Sequence, residues 1–235
     1  TGDQRLHGLN PAGERQWLFW SYAGFFATHG LYDLDGDGVK EICGGNPEIS
    51  DADALYFLSG ENTYKRRILN DGWGSTLASM AIGDINGDGR EEIVIGTGRA
   101  NLHAIDPAQE GYLWSHALGD SVRGVEIVDR PDGMPLVVAG GYGEFIVAFN
   151  AAGEKQWATP MGAPVKFLTT AASDGTQVII AALMDGSIVT LDVAGVVTGK
   201  AATGVEPTAL TVAGAEQKRI VVAGADNTVR GIRMR

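Results

Sequence analysis

Two stretches carry the residue types and spacing to hold a metal ion. They are DLDGDGVKE at 33–41 and DINGDGREE at 84–92. Oxygen-bearing side chains fall at loop positions 1, 3 and 5. These are Asp33, Asp35 and Asp37 in the first loop, and Asp84, Asn86 and Asp88 in the second. Position 6 is glycine, and position 9 is Glu41 or Glu92. Alternate side chains on a tightly wound loop converge on one point. The glycine permits a sharp turn that aims the position-7 carbonyl, of Val39 or Arg90, inward, and the glutamate closes the cage. Six to eight hard oxygen ligands suit calcium, whereas magnesium prefers octahedral, water-rich sites. Two bound Ca2+ ions are therefore expected.

The helix–loop–helix calcium hand opens in the same way but needs Glu at position 12. Position 12 here is Gly44 or Ile95, and the flanks read as strands. The hand is excluded and the ion kept. Asp-Gly and Asn-Gly also make plain hairpin turns. A turn needs one such pair, not three spaced oxygens and a glutamate, twice. Four carboxylates crowd the first loop and three the second, so tighter binding is expected in the first.

The elements that position these loops come from a repeat. Apolar runs begin at 91 (EEIVIGTG), 134 (MPLVVAGG), 176 (TQVIIAAL) and 218 (KRIVVAGA). A weaker copy begins at 40, displaced by an insertion at 46–53. Three further sets of short strands keep step with these runs. Each unit thus holds four strands in about 42 residues, the signature of a propeller blade. No segment shows a sustained helical period. Labelling strands a to d from the axis outward gives five a, five b, six c and five d. The predicted fold is all-β: a β-propeller of four-stranded antiparallel blades in one domain, residues 1–235. Blades are placed at about 28–70, 78–118, 122–161, 165–202 and 207–235. Five blades are favoured, with the c and d strands of residues 1–22 completing the last. The alternative is a segment of a six- to eight-bladed propeller. The later a–b turns, VDRPDGMP (128–135), ASDGTQ (172–177) and AGAEQKR (213–219), keep a turn but too few ligands.

At this point a family resemblance is visible. The pattern Asp-x-Asp/Asn-Gly-Asp-Gly-x-x-Glu-Ile between strands a and b resembles the FG-GAP (integrin-α-like) calcium-binding propeller repeats, over residues 28–118. The second half resembles PQQ-type propeller repeats, through LNPAGERQW (9–17), FNAAGEKQW (149–157) and, loosely, IDPAQEGYLW (105–114). That resemblance implies that a Gly-x-x-x-Trp element docks one blade on the next. Gly13 with Trp17, and Gly153 with Trp157, fit it; Trp114 fits with a one-residue shift. LDVAGVVTG (191–199) has no tryptophan, so its blade interface should be the weakest.

Bulk composition limits the partners. The 235 residues carry a net charge of −11, which argues against nucleic acid. No apolar run approaches the ~18 residues of a membrane span, so no membrane insertion is expected. The chain begins at Thr1 without a signal-peptide pattern, as a mature form or an excised piece would. The 34 glycines punctuate short strands. The single cysteine, Cys43, allows no internal disulfide and reads as a small buried residue.

No serine elbow, zinc-ligand pair or phosphate-binding loop is present. His7 and His103 occupy the same position in two repeats, which argues for architecture. His29, just before strand a of the first blade, is a candidate for a central mouth. Trp20, Tyr56 and Trp73, with Tyr64, Phe25 and Phe26, lie near the first acidic loop. They are candidates to stack on sugar rings or to fill space between blades. The expected function is a calcium-stabilised binding propeller, recognising glycan or protein, in an extracellular, cell-surface or periplasmic setting. The rivals are a propeller belonging to a polysaccharide lyase or other carbohydrate-active enzyme, and a purely structural segment of a surface protein.

Overall fold

The computed structural model describes residues 5–20, 28–45, 54–59, 64–69, 77–109, 111–131, 133–173, 175–214 and 219–233. Among them the chain is all-β, with 21 strands. No helix among the described residues is long and apolar enough to cross a membrane.

The first complete sheet is β3 (Thr28–Tyr32), β4 (Glu41–Gly45), β5 (Ala54–Leu58) and β6 (Tyr64–Leu69). The second is β7 (Leu77–Gly83), β8 (Glu92–Thr97), β9 (Asn101–Ile105) and β10 (Trp114–Ala117). The third is β11 (Val122–Arg130), β12 (Gly133–Gly141), β13 (Phe145–Phe149) and β14 (Lys155–Pro160). The fourth is β15 (Val165–Ser173), β16 (Thr176–Leu183), β17 (Ser187–Leu191) and β18 (Val197–Ala202). Each is an antiparallel meander with its strands in sequence order. The insertion at 46–53 lies outside the described residues.

Two partial sheets flank these four. β19 (Pro207–Ala213), β20 (Arg219–Gly224) and β21 (Val229–Arg233) form a three-stranded sheet. β1 (Arg5–Leu9) and β2 (Arg15–Trp20) form a two-stranded one. The strands thus number five a, five b, six c and five d, as the repeat predicts. The sixth c strand, β1, pairs with the d strand β2, Leu6 opposite Phe19.

Burial grades across each sheet as the sequence pattern implies. The second strands carry apolar runs that are buried on both faces in the second to fourth sheets, and every residue of β8 is buried. The fourth strands alternate, as in Trp114–Ala117, where every second residue is exposed. The core lies between sheets rather than within them. One cluster joins Val138, Ile146 and Ala148 of the third sheet to Val165, Ile179 and Ala181 of the fourth. Another joins Tyr32, Cys43 and Phe57 of the first to Leu77, Ile93 and Ile95 of the second. Cys43 is fully buried, which pushes its thiol well above its ordinary range and keeps it inert.

Close approach of successive first strands needs glycine. A methyl group on Gly124 of β11 would collide with the Leu168 side chain of β15 and sit 3.1 Å from the Leu168 backbone nitrogen. That neighbour is backbone and cannot swing aside. Gly124→Ala is therefore expected to lower unfolding free energy by about 1–3 kcal/mol. Urea unfolding checks this; an unchanged midpoint would show that the sheets separate freely.

Candidate metal centre

The first acidic loop joins β3 to β4, and the second joins β7 to β8. Both fold around the position-1 aspartate. Asp33 Oδ1 accepts from Gly36 N at 2.8 Å and its Oδ2 from Gly38 N at 2.9 Å. Asp84 does the same with Gly87 N (2.6 Å) and Gly89 N (2.9 Å). Gly38 and Gly89 have φ of +84° and +85°, in the left-handed region that favours glycine. The position-4 glycines, Gly36 and Gly87, share it at +76° and +79°. The sequence reading stressed position 6 and gave position 4 no role.

The position-9 glutamates are buried, Glu41 at 2% and Glu92 at 0% exposure. Each carboxylate accepts the N–H of loop position 2: Leu34 N to Glu41 at 2.9 Å, Ile85 N to Glu92 at 3.0 Å. Burial raises the Glu92 carboxyl above its ordinary range, opposed by the Ile85 N–H and reinforced by Asp88, Asp84 and Asp106. Val39 and Arg90 donate their N–H groups to the position-5 carboxylates, Asp37 at 2.7 Å and Asp88 at 2.9 Å.

The two loops then diverge. In the first, Asp33, Asp35 and Asp37 each offer a carboxylate oxygen, all within 4.8 Å of one another. Like charges at ~4 Å repel by about 1 kcal/mol per pair even in water. This all-oxygen donor set fits a hard divalent cation. In the second, Asn86 Oδ1 accepts from Asp88 N (2.8 Å), and its Nδ2 donates to Glu92 Oε1 (3.1 Å). Arg90 Nη2 lies 3.1 Å from Asp88 Oδ2, and the Asp88 carboxyl is held below its ordinary range, first by the Arg90 backbone N–H. Lys40, in the first loop, reaches across to Glu91 of the second at 2.8 Å.

The candidate ligand residues outside the loops are placed only in part. His29 and Tyr56 share one cross-strand row through Gly44. Trp20 ends β2. The side chains of His29, Trp20, Tyr56 and Tyr64 lie outside the described residues, as do Phe25, Phe26 and Trp73 entirely. His103 is buried, with Nδ1 2.6 Å from Ser115 Oγ and its ring 5.0 Å from that of Tyr112. Burial lowers its pKa to about 4, so it is neutral at physiological pH. Such a placement is architectural.

A second constellation clamps sheet to sheet. The turn between third and fourth strands is an Asx turn: Asn150 Oδ1 accepts Glu154 N at 2.8 Å. Gly153 there has φ +78°. Trp114 of the preceding sheet packs over Gly153, and its Nε1–H donates to Ala151 O at 2.9 Å. Trp157 repeats this over Gly195, donating to Val193 O at 3.1 Å. His116 adds a stacked contact, its ring 4.4 Å from that of Phe149. In register, Trp157 faces Ala148, and Gly199 faces Thr190 in the next copy. A groove of about 610 Å³ lies beside Gly199. It is lined by Val178, Ile188, Gly199, Lys200, Ile220 and Ile232.

The sheets and their order define a β-propeller, and comparisons with solved structures agree. BBS1N in complex with ARL6DN, soaked with lead, aligns at TM-score 0.69 and 15% identity over 94% of this chain and 69% of that one. The Saccharomyces cerevisiae Sqt1 aligns at TM-score 0.78 and 12% identity over 96% of this chain and 64% of that one. The mercury-soaked BBS1N–ARL6DN crystal aligns at 0.75 and 14%, over 98% and 71%. The chain thus spans about two thirds of these neighbours, and the likeness is one of fold. FG-GAP repeats are found in the sequence itself: an FG-GAP-like repeat over 33–95 and an FG-GAP repeat over 76–116. No curated protein matches the chain.

Two outcomes follow from these contacts. Trp157→Ala removes a half-buried indole and its donated hydrogen bond. It should cost near the low end of about 3–5 kcal/mol, measured by urea unfolding. Separately, half-buried Glu126 on β11 has its carboxyl pushed up to about 7 by burial. The folded state then binds this proton more tightly than the unfolded chain does. Its contribution is fully present below the usual carboxylate range near 4.5 and is lost as pH rises through about 7. Unfolding at pH 5 and pH 8 should show Glu126→Gln losing less stability across that interval than wild type.

Proposed function

We propose that this chain is a calcium-stabilised extracellular binding propeller, at a cell surface or in a periplasm, whose ligand is a protein or a glycan. The observation that carries the reading is the convergence of Asp33, Asp35 and Asp37 inside an FG-GAP repeat. In the first loop, Asp33, Asp35, Asp37 and Glu41 would hold one Ca2+ ion, with the Val39 carbonyl. In the second, Asp84, Asn86, Asp88 and Glu92 would hold another, with the Arg90 carbonyl. The ion would supply charge neutralisation and fix the a–b turn. Millimolar extracellular calcium suits exposed loops of this kind. A protein ligand draws support from BBS1N, a propeller-fold neighbour solved in complex with ARL6DN. A glycan rests on the aromatics of the first blade alone.

The finer architecture in this reading is five blades, with residues 1–22 completing the last one. The alternative is an arc of a six- to eight-bladed ring. The c–d hairpin and the three-stranded a–b–c sheet fit either. The second half is read as PQQ-like repeats, supported by the two tryptophan clamps and without implying a quinone cofactor.

Calcium titration followed by heat tests the reading. A site filled at about 100 times its Kd adds about 2.7 kcal/mol. Each kcal/mol raises Tm by about 2–4 °C in a chain of this size. Chelation should therefore lower Tm by several degrees, and Asp33→Ala should remove more of the calcium response than Asp84→Ala. Equal losses would sink the ranking, and a Tm indifferent to calcium would sink the ion. Glycan arrays in calcium, with product analysis on acidic polysaccharides, sort the ligand class. Binding without cleavage supports the module; new unsaturated ends would establish a lyase instead.

A further inference from the structure

The two acidic loops are alike in sequence but not in how their charge is balanced. Lys40 is the basic residue of the first loop, yet its ammonium sits on Glu91 of the second at 2.8 Å. The second loop also has Arg90. Its guanidinium bonds Asp88 Oδ2 at 3.1 Å and Asp106 Oδ2 at 3.4 Å. Asp106 is 3% exposed, and it opens the turn between β9 and β10. It also accepts from Ala108 N (2.8 Å) and Gln109 Nε2 (2.7 Å). Both basic side chains of the paired loops thus serve the second one. Backbone N–H groups serve both loops alike, Asp33 and Asp84 taking two each and Glu41 and Glu92 one each, but in the second Asp88 also takes the arginine and Glu92 the Asn86 amide. In the first loop, position 7 is Val39, 62% exposed and without charge, and three carboxylates face one another.

We propose that Arg90 is a resident counter-cation of the second loop. It holds Asp88 and ties the loop to Asp106, so that this turn keeps its shape without an ion. Arg90 also lowers the second loop's calcium affinity, because a bound ion must share Asp88 with the guanidinium. The inference rests on the calcium reading above.

Titration calorimetry with calcium alone, paired with melting in chelator, tests it on the full chain. Wild type should show a tighter and a weaker site. Arg90→Gln should tighten the weaker site about three- to tenfold, as expected for removing one nearby positive charge. It should also lower Tm in chelator, while Arg90→Lys restores most of both values. The reciprocal variant, Val39→Arg, should weaken the tighter site and narrow the gap in Tm with and without calcium. Two wild-type sites with the weaker one unmoved by Arg90→Gln, or an unmoved tighter site in Val39→Arg, would overturn this inference alone. A wild type that binds no calcium would overturn both readings. If Arg90→Gln fails to fold, Val39→Arg decides the matter.

Discussion

A four-stranded sheet of about 42 residues cannot bury its own faces, and the rest of the structure follows from that constraint. Each sheet has two apolar sides and needs a neighbour on each. The buried clusters accordingly span pairs of sheets, with Val137, Ala139 and Val147 meeting Val94, Leu102 and Ala104 in one seam. Burial stabilises by about 25 cal/mol per Å² of apolar surface, so stability resides in the seams. The chain is consequently repetitive. The same apolar run, turn and glycine must recur wherever the same seam recurs. A fault in one sheet is felt by the two beside it.

The turns at one end of the sheets face a second constraint, which is electrostatic. Strands a–b and c–d of an antiparallel meander close at the same end. Acidic a–b turns and Asx-type c–d turns are therefore neighbours. Arg90 bonding both Asp88 and Asp106 is that adjacency made visible. Carboxylates suit these turns because they accept the N–H groups that a tight loop leaves unpaired, as Asp33 does twice. Several of them together repel. In the second loop that repulsion is met by arginine, lysine and an amide.

The repeat, the strand count, the buried Cys43 and the acidic loops were legible in the sequence. All are local or periodic, and spacing reports them directly. The tryptophan clamps were legible as a motif, although Trp114 meets a turn 37 residues further on. What spacing hides is pairing between distant residues. Lys40 and Glu91 are 51 positions apart. Asp106 and Arg90 belong to different turns, and neither looks unusual alone. The pairing of β1 with β2 was equally open, because the count gave one c strand too many and no partner rule. Lys40 and Glu91 do share loop position 8 in successive copies, and aligning the copies for charge would have exposed them.

Seen along the chain, the first three seams carry a closing device at the turn end, and the devices change. Between the first and second blades it is the Lys40–Glu91 bridge beside the acidic loops. Between the second and third it is Trp114 on Gly153; between the third and fourth it is Trp157 on Gly195. The acidic loops fade where the indoles begin, and only the second blade bears both. Between the fourth and fifth blades the position of the indole is taken by Gly199, the a–b turn Ser173–Thr176 lacks the ligand set, and the groove opens there. Lys166 and Glu206 still bridge this seam at its other end, at 2.6 Å. Between these two ends Ala171, Ile180, Ala182 and Ile188 of the fourth sheet pack on Ile220 and Val222 of the fifth. That distribution ties the two halves of the sequence together: ligand-bearing turns and docking tryptophans are alternative answers to the same need to close a seam between sheets.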